Sequence, residues 1–321
     1  MTQAGGEDAA LRCLVISDGR RGIENQALGL AEACARLRPL TITQHRLKRG
    51  KWSSFLQAEF RAKFEKIDLP DCDIAIGCGR RAIPALIHLK RTRSQVFTIY
   101  IQDPRLDPSQ FDLVVAPEHD AVTGQNVISM MGSPNRITVE RLERAQTEFA
   151  DAISNFCASP IAFLIGGKSK RHKLSEANHN VHIQHAKQLL KHGHSIWVTM
   201  SRRTPDFARQ GWVAFAKAND KIWLYDGDGP NPYFAFLAKA KMILVTEDST
   251  NMLTEACATG RPVFRLPMTG KAGKFQNLYD SLEQRCNVMT FSAELEAARY
   301  QPLNETDRVA QRIWKRFPRT P

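Results

Sequence analysis

The 321-residue sequence contains no apolar run near the ~20 residues that cross a bilayer as a helix, so it does not read as a channel or transporter. It has no C-x-x-C spacing, and its seven cysteines (13, 34, 72, 78, 157, 257 and 286) are odd in number and sit mostly in apolar runs. That excludes a disulfide scaffold and predicts reduced, buried thiols in a cytoplasmic protein. The first residues, MTQAGGEDAALR, lack the basic and apolar stretches of a secretory signal and read as a frayed tail. Low-complexity linkers are missing as well. Acidic residues are scarce, 33 against 45 basic ones, giving a net charge of +12 that attracts phosphate groups on nucleotides or anionic lipids. Nucleic acid is not an expected partner, because the basic residues have no interleaved aromatic platform on which bases could stack.

Hydrophobic residues make up 43% and charged residues 24%, enough for a packed core, and the length suits two domains. Twelve β-branched apolar runs end in turn residues. The first six are LRCLVISD, LTITQHRL, DIAIGCG, VFTIYIQD, LVVAPEHD and NVISMMG; the second six are IAFLIGG, SIWVTMS, KIWLYDG, MILVTED, RPVFRLP and NVMTF. Helical patterns separate most of them, and one runs from Val139 to Phe156. Alternating strands and helices mean parallel sheets covered on both faces. The expected fold class is α/β, with two Rossmann-like doubly wound domains over residues 1–150 and 151–300 facing a cleft. A C-terminal helix within 301–321 is expected to cross back to the first domain.

Ligands of open α/β sheets bind outside the carboxyl ends of the strands. Here those ends are unusually polar. SDGRRGIENQ and QDPR place Gly19, Arg20, Gly22, Asn25, Gln26 and Gln102 on the first domain's side of the cleft, and Asp18, Asp103 and His119 are alternative acids or bases there. In the second domain, GGKSK brings Gly166, Gly167, Ser169 and Lys170, and SRRTP brings Arg202, Arg203 and Thr204, a set whose backbone donors and cations suit an anion. GGKS is not a Walker motif, since the first glycine of that motif would stand at Ala162. GCGRRA fits the dinucleotide fingerprint but follows the third strand rather than the first, which argues against NAD. YDGDG has the spacing of a divalent-cation pair and, more simply, of a turn; no metal is expected.

Two stripes have plain readings. His179, His182 and His185 recur every third residue without a nearby cysteine or supporting carboxylate, so a solvated helix face is expected rather than a metal site. Trp52, Leu56, Phe60 and Phe64 recur every fourth residue among lysines and arginine, as a core-facing helix does; a membrane-surface helix is the alternative.

VTEDSTNMLTEACATGRPVF, residues 245–264, passes from strand to helix through Asp248 and Ser249, either of which could cap the helix. Asn251 and Glu255 lie four apart on one face, so the helix start could also hold a phosphate.

Taken together, SDGRRGIENQALGLAEA, GGKSKRH, SRRTP, DGDGPNPY and TEDSTNMLTEACATGRPV, spread from about Leu14 to Pro267, resemble the mitochondrial fission ELM family. Lys168 departs from the proline of that family's loop. The resemblance implies a GT-B-like fold whose second domain binds a nucleotide-diphosphate sugar, with Ser249 and Asn251 beside the diphosphate and Glu255 beside the ribose. It also implies a metal-independent glycosyltransferase with no required cofactor, in which Gly166, Gly167, Ser169, Lys170, Arg202, Arg203, Thr204, Asp248 and Ser249 surround the leaving diphosphate. Asp18, His119 or Asp103 would deprotonate the acceptor. The partners expected are a nucleotide sugar and an anionic membrane surface or lipid-linked acceptor, with the protein cytoplasmic and peripheral on the inner face of the membrane. Two other readings stay open: a nucleotide-sugar epimerase of the same fold, and a non-catalytic, membrane-associated interaction protein related to mitochondrial fission factors. A fission role is not expected, since the chain shows no mitochondrial targeting segment.

Overall fold

The computed structural model describes residues 10–47, 68–156, 158–292 and 298–318. The chain forms two compact units, residues 1–136 with 304–321, and residues 137–303. The segment 137–150, expected in the first domain, belongs to the second unit.

The first unit contains one parallel sheet ordered β2-β1-β3-β4-β5-β6. Its strands are β1 (Leu11–Ser17), β2 (Leu40–Arg46), β3 (Ile74–Cys78), β4 (Phe97–Ile101), β5 (Leu113–Pro117) and β6 (Val127–Met130). Successive side chains on a strand point to opposite faces. Cys13 and Val15 therefore enter one core with α1 (Arg21–Ala35), while Leu14 and Ile16 enter another with α2 (Ala82–Thr92). Both faces are buried, which explains the near-continuous apolar runs.

The second unit repeats the plan, in the order β10-β9-β7-β11-β12-β14. Its strands are β7 (Ile161–Ile165), β9 (Ile196–Met200), β10 (Ile222–Tyr225), β11 (Met242–Thr246), β12 (Val263–Leu266) and β14 (Met289–Thr290). All twelve runs read from the sequence are strands, and every pairing within the two sheets is parallel. The sequence pattern does not show a two-stranded ribbon in which β8 (His172–Lys173) pairs antiparallel with β13 (Thr269–Gly270). Strands of two residues carry no periodicity to read.

The helical pattern from Val139 to Phe156 is two helices, α3 (Val139–Glu148) and α4 (Ala150–Asn155), broken where Phe149 leaves helical geometry at φ −108° and ψ 22°. Helices α5 (Glu176–Lys191), α6 (Asp206–Lys217), α7 (Tyr233–Lys239), α8 (Thr250–Cys257) and α9 (Phe275–Cys286) complete the unit. The last helix, α10 (Glu305–Arg316), belongs to the first unit. There Val309, Ala310, Ile313 and Trp314 join the α1 face of the core, and the Trp314 indole donates to the Cys34 carbonyl at 3.0 Å.

In each sheet the chain order reverses at a central pair of strands, β1/β3 in the first and β7/β11 in the second. The loops at the carboxyl ends of such a pair diverge to opposite faces and leave a crevice, the usual ligand position in open α/β sheets.

Candidate functional site at the β7/β11 switch point

Two loops leave the switch point of the second unit, Gly166–Lys170 after β7 and Glu247–Ser249 after β11. At the end of β11 the Thr246 hydroxyl accepts from the Gly166 N–H at 2.7 Å and donates to the Asp248 carboxylate at 2.8 Å. That carboxylate also accepts the Gly167 N–H at 3.1 Å and pairs with the Arg203 guanidinium at 2.9 Å. Its side chain has no exposed surface, whereas that of Arg203 is 46% exposed. Burial pushes the Asp248 carboxyl up, opposed by Arg203, the Gly167 N–H, Thr246 and His172.

This geometry corrects the reading of the glycine pair. The N–H groups of Gly166 and Gly167 are spent inside the protein, so they are not aimed at an anion. The residues are glycine for want of room: a Cβ on Gly166 would lie 1.9 Å from an Asp248 carboxylate oxygen, and one on Gly167 would lie 1.9 Å from the Arg203 carbonyl oxygen. Thr204, 4% exposed, donates to the carbonyls of Ile165 and Gly166. Arg203 donates to the Lys168 carbonyl at 2.9 Å, and Lys168 returns its N–H to the Arg203 carbonyl at 3.3 Å. Arg209, which the sequence reading passed over, ties the other end of that loop through the carbonyls of Ser201 and Thr204. Gly166, Gly167, Thr204 and Asp248 are therefore the frame beneath the site.

Ser169 closes a turn, its hydroxyl accepting from the N–H groups of Arg171 at 3.2 Å and His172 at 3.0 Å. Lys170 and Arg202 are exposed, and among the described residues neither guanidinium nor ammonium has an acidic partner. Of the two candidate caps on α8 it is Ser249 that serves, accepting from the Met252 N–H at 3.4 Å. Asp248 faces inward instead. Asn251 is half-buried in the first turn, and Glu255 lies one turn farther on. The half-buried Glu255 accepts from the Tyr233 hydroxyl of α7. Burial pushes its carboxyl up to about 7, against the hydrogen bond from Tyr233. In the sequence Tyr233 stands only as the last residue of DGDGPNPY, just after the YDGDG stretch that reads most simply as a turn. That turn is observed, with the Asp228 N–H on Asp226 at 3.3 Å, and no metal-binding cluster occurs among the described residues.

In the first unit the structure brings Gln26 and Gln102 together. The Gln102 amide donates to Gln26 at 3.2 Å, the Cys78 thiol lies 3.4 Å from the same oxygen, and Gln102 holds φ at +94°. Asp18 pairs with Arg20 at 2.8 Å; burial works to raise its carboxyl, but the Arg20 side chain and N–H outweigh that and hold it below the usual range. The N–H of Gly19 donates to the Ser17 hydroxyl at 3.2 Å, while Gly22 and Asn25 lie in the first two turns of α1. Asp103 accepts the Arg105 N–H at 2.8 Å, and His119, 9% exposed, lies 3.8 Å from Asp120. Asp18, Asp103 and His119 thus each have their own local partner.

The histidine stripe is also corrected: it faces the core. His179 lies edge-on to Trp212 and Phe207, His182 is fully buried 3.2 Å from the Pro267 carbonyl, and His185 meets Phe291 edge-on. The aromatic stripe from Trp52 to Phe64 lies outside the described residues.

The sequence profile described as mitochondrial fission ELM1 matches residues 21–317. The chain belongs to that family. Among relatives, "Mitochondrial fission protein ELM1" of Arabidopsis thaliana is 28% identical over 277 residues, covering 75% of this chain; the aligned part spans 62% of that protein's length. An uncharacterized protein, RP120, of Rickettsia prowazekii is 25% identical across 93% of this chain and 96% of its own. Among solved structures, a putative UDP-N-acetylglucosamine 2-epimerase from Listeria monocytogenes gives a TM-score of 0.59 at 12% identity, covering 98% of each chain. The UDP-GlcNAc 2-epimerase of Methanocaldococcus jannaschii gives 0.56 at 12% identity, covering 95% of this chain and 99% of its own. ADP-heptose lps heptosyltransferase II of E. coli gives 0.52 at 12% identity over 96% and 98%. At such identities the likeness carries the fold alone, which is α/β with two parallel six-stranded sheets, GT-B-like over the full chain. No helix among the described residues of this ELM1-family chain is long and apolar enough to cross a membrane.

Proposed function

We propose that this ELM1-family chain binds a nucleoside-diphosphate sugar at the β7/β11 switch point and transfers the sugar to an acceptor without a metal. The observation that carries the reading is Glu255, a half-buried carboxylate on the helix that starts at this crevice. Ser249 to Glu255 is six residues, about 9 Å of helix, a span suited to a diphosphate at the helix start and a ribose beside the carboxylate. The positive end of the helix, with Lys170, Arg202 and the exposed part of Arg203, would stabilise charge developing on the leaving diphosphate. Among solved structures of like fold, S. aureus MnaA is in complex with UDP and the M. jannaschii 2-epimerase with UDP-GlcNAc and UDP, which agrees with such a ligand. The net charge of +12, with exposed Lys168, Lys170, Arg171 and Lys173, favours an acceptor presented on an anionic membrane surface.

Thermal unfolding against UDP-, GDP-, ADP- and CMP-sugars tests the donor site, because a ligand that binds only the folded state raises its stability. One of them should raise the melting temperature, and Glu255→Ala should abolish the rise. No shift with any at millimolar concentration, on a cooperative melt, would sink the reading and favour an interaction protein. Conversion of the donor with no acceptor present would make the chain an epimerase.

A further inference from the structure

Glu255 has two carboxylate oxygens in different situations. Oε2 accepts from the Tyr233 hydroxyl, while Oε1 has no hydrogen-bond partner among the described residues. Tyr233 is itself fixed: it is the first residue of α7, and its N–H donates to Asn231 at 3.0 Å in the turn that precedes the helix. We infer that Tyr233 is a positioning residue for the nucleotide, holding one oxygen of Glu255 so that the other, ionised and oriented, accepts from the ribose hydroxyls. This rests on the donor-site reading above and adds to it the residue that sets the ribose ligand's geometry and charge.

Two physical requirements are met. A carboxylate that accepts from a ribose diol must be ionised, since a protonated carboxyl turns one of its acceptors into a donor. The tyrosine hydroxyl favours the ionised form by donating to it, whereas burial disfavours it. With the two opposed, Glu255 is left titrating at about 7. Charged groups on the surrounding elements are occupied elsewhere. Arg141 of α3 lies over the Phe234 ring, Arg261 binds the carbonyls of Ala238 and Ala240, and Arg265 faces Glu247 and Tyr279. Lys239 of α7 and Glu283 and Arg285 of α9 are exposed. Tyr233 is therefore the one titratable partner that bears on Glu255 among the described residues.

The test is titration of UDP, GDP and ADP into the full chain and into Tyr233→Phe between pH 6 and 9. In the parent, affinity should rise with pH through about 7. In the variant it should be about tenfold weaker at pH 7, the scale of a lost hydrogen bond to a charged group, with the rise displaced upward by about one pH unit and the deficit closed near pH 9. A 2′,3′-dideoxynucleoside diphosphate, which offers Glu255 no hydroxyl, should bind parent and variant alike. Glu255→Gln should flatten the pH profile in either background. Overturning outcomes are an unchanged pH profile in Tyr233→Phe, or an equal loss at every pH, which a merely structural tyrosine would give. If the parent binds none of the three ribonucleotides at any pH, the donor-site reading falls and takes this inference with it; binding with an unaltered variant removes the role of Tyr233 alone.

Discussion

A methyl group on Gly167 would meet the Arg203 carbonyl oxygen at 1.9 Å, and that carbonyl belongs to backbone already held by the Lys168 N–H. Neither side is a flexible side-chain tip that could swing away. Gly167→Ala should cost about 3 kcal/mol, the upper range for overpacking, and should do so with no ligand present. A urea denaturation midpoint checks this, and an unchanged midpoint would mean that the frame yields freely. The same argument separates the residues of the candidate site: Gly166, Gly167, Thr204 and Asp248 are tied into the protein by their polar groups, while Lys170 and Arg202 are exposed and Glu255 accepts from Tyr233. Residue types at a strand end announce polarity; the direction of their N–H groups depends on a carboxylate 81 residues away in the chain, which no local pattern can show.

Helix α5 carries His179, His182 and His185 on its inner face. Since a carbonyl only accepts, the His182 Nε2 must carry the proton that meets the Pro267 carbonyl, and Nδ1 is buried without a partner among the described residues. Burial pushes the His182 imidazole down to about 4, and pushes His179 and His185 down as well. A base whose folded pKa is depressed takes up more protons when unfolded. Its contribution to stability is full above the unfolded value near 6.5 and is lost as the pH falls toward 4. For His182, lowered from 6.5 to about 4, the loss is on the order of 3 kcal/mol. Urea midpoints at pH 7.5, 6 and 5 should fall steadily, and His182→Leu should flatten that fall; a parent midpoint constant over the window would refute the argument. The elements themselves were largely open to sequence reasoning, because fully buried parallel strands must be apolar runs that end in turn residues. Which face of α5 turns inward was not, since a period of three or four fixes that residues share a face and says nothing of what covers it. The pairing of β8 with β13 was also out of reach, as it depends on Gly270 approaching the Arg171 carbonyl so closely that a Cβ would lie 2.0 Å from it.

The whole molecule is two units, one of them assembled from separate stretches of chain. Trp314 of α10 donates to the Cys34 carbonyl, lies under the Arg38 guanidinium at 4.8 Å and meets Phe317 edge-on, at 8% exposure. Trp314→Ala should cost about 4 kcal/mol, as large-to-small core changes do. That loss should fall on the unit that contains the helix. Hydrogen exchange should speed at β1 and α1 while β7, β9 and β11 keep their protection; uniform loosening of both units would instead show that they unfold as one. The placing of α10 has a further consequence in time. Ribosomes release a chain from its N-terminus, and domains generally fold as they emerge. The strands and α1 of the first unit leave the ribosome with the α10 side of their shared core still open and wait, through synthesis of all of 137–303, for the helix that completes it. The second unit, continuous in the chain, can complete its fold before the first although its synthesis begins later.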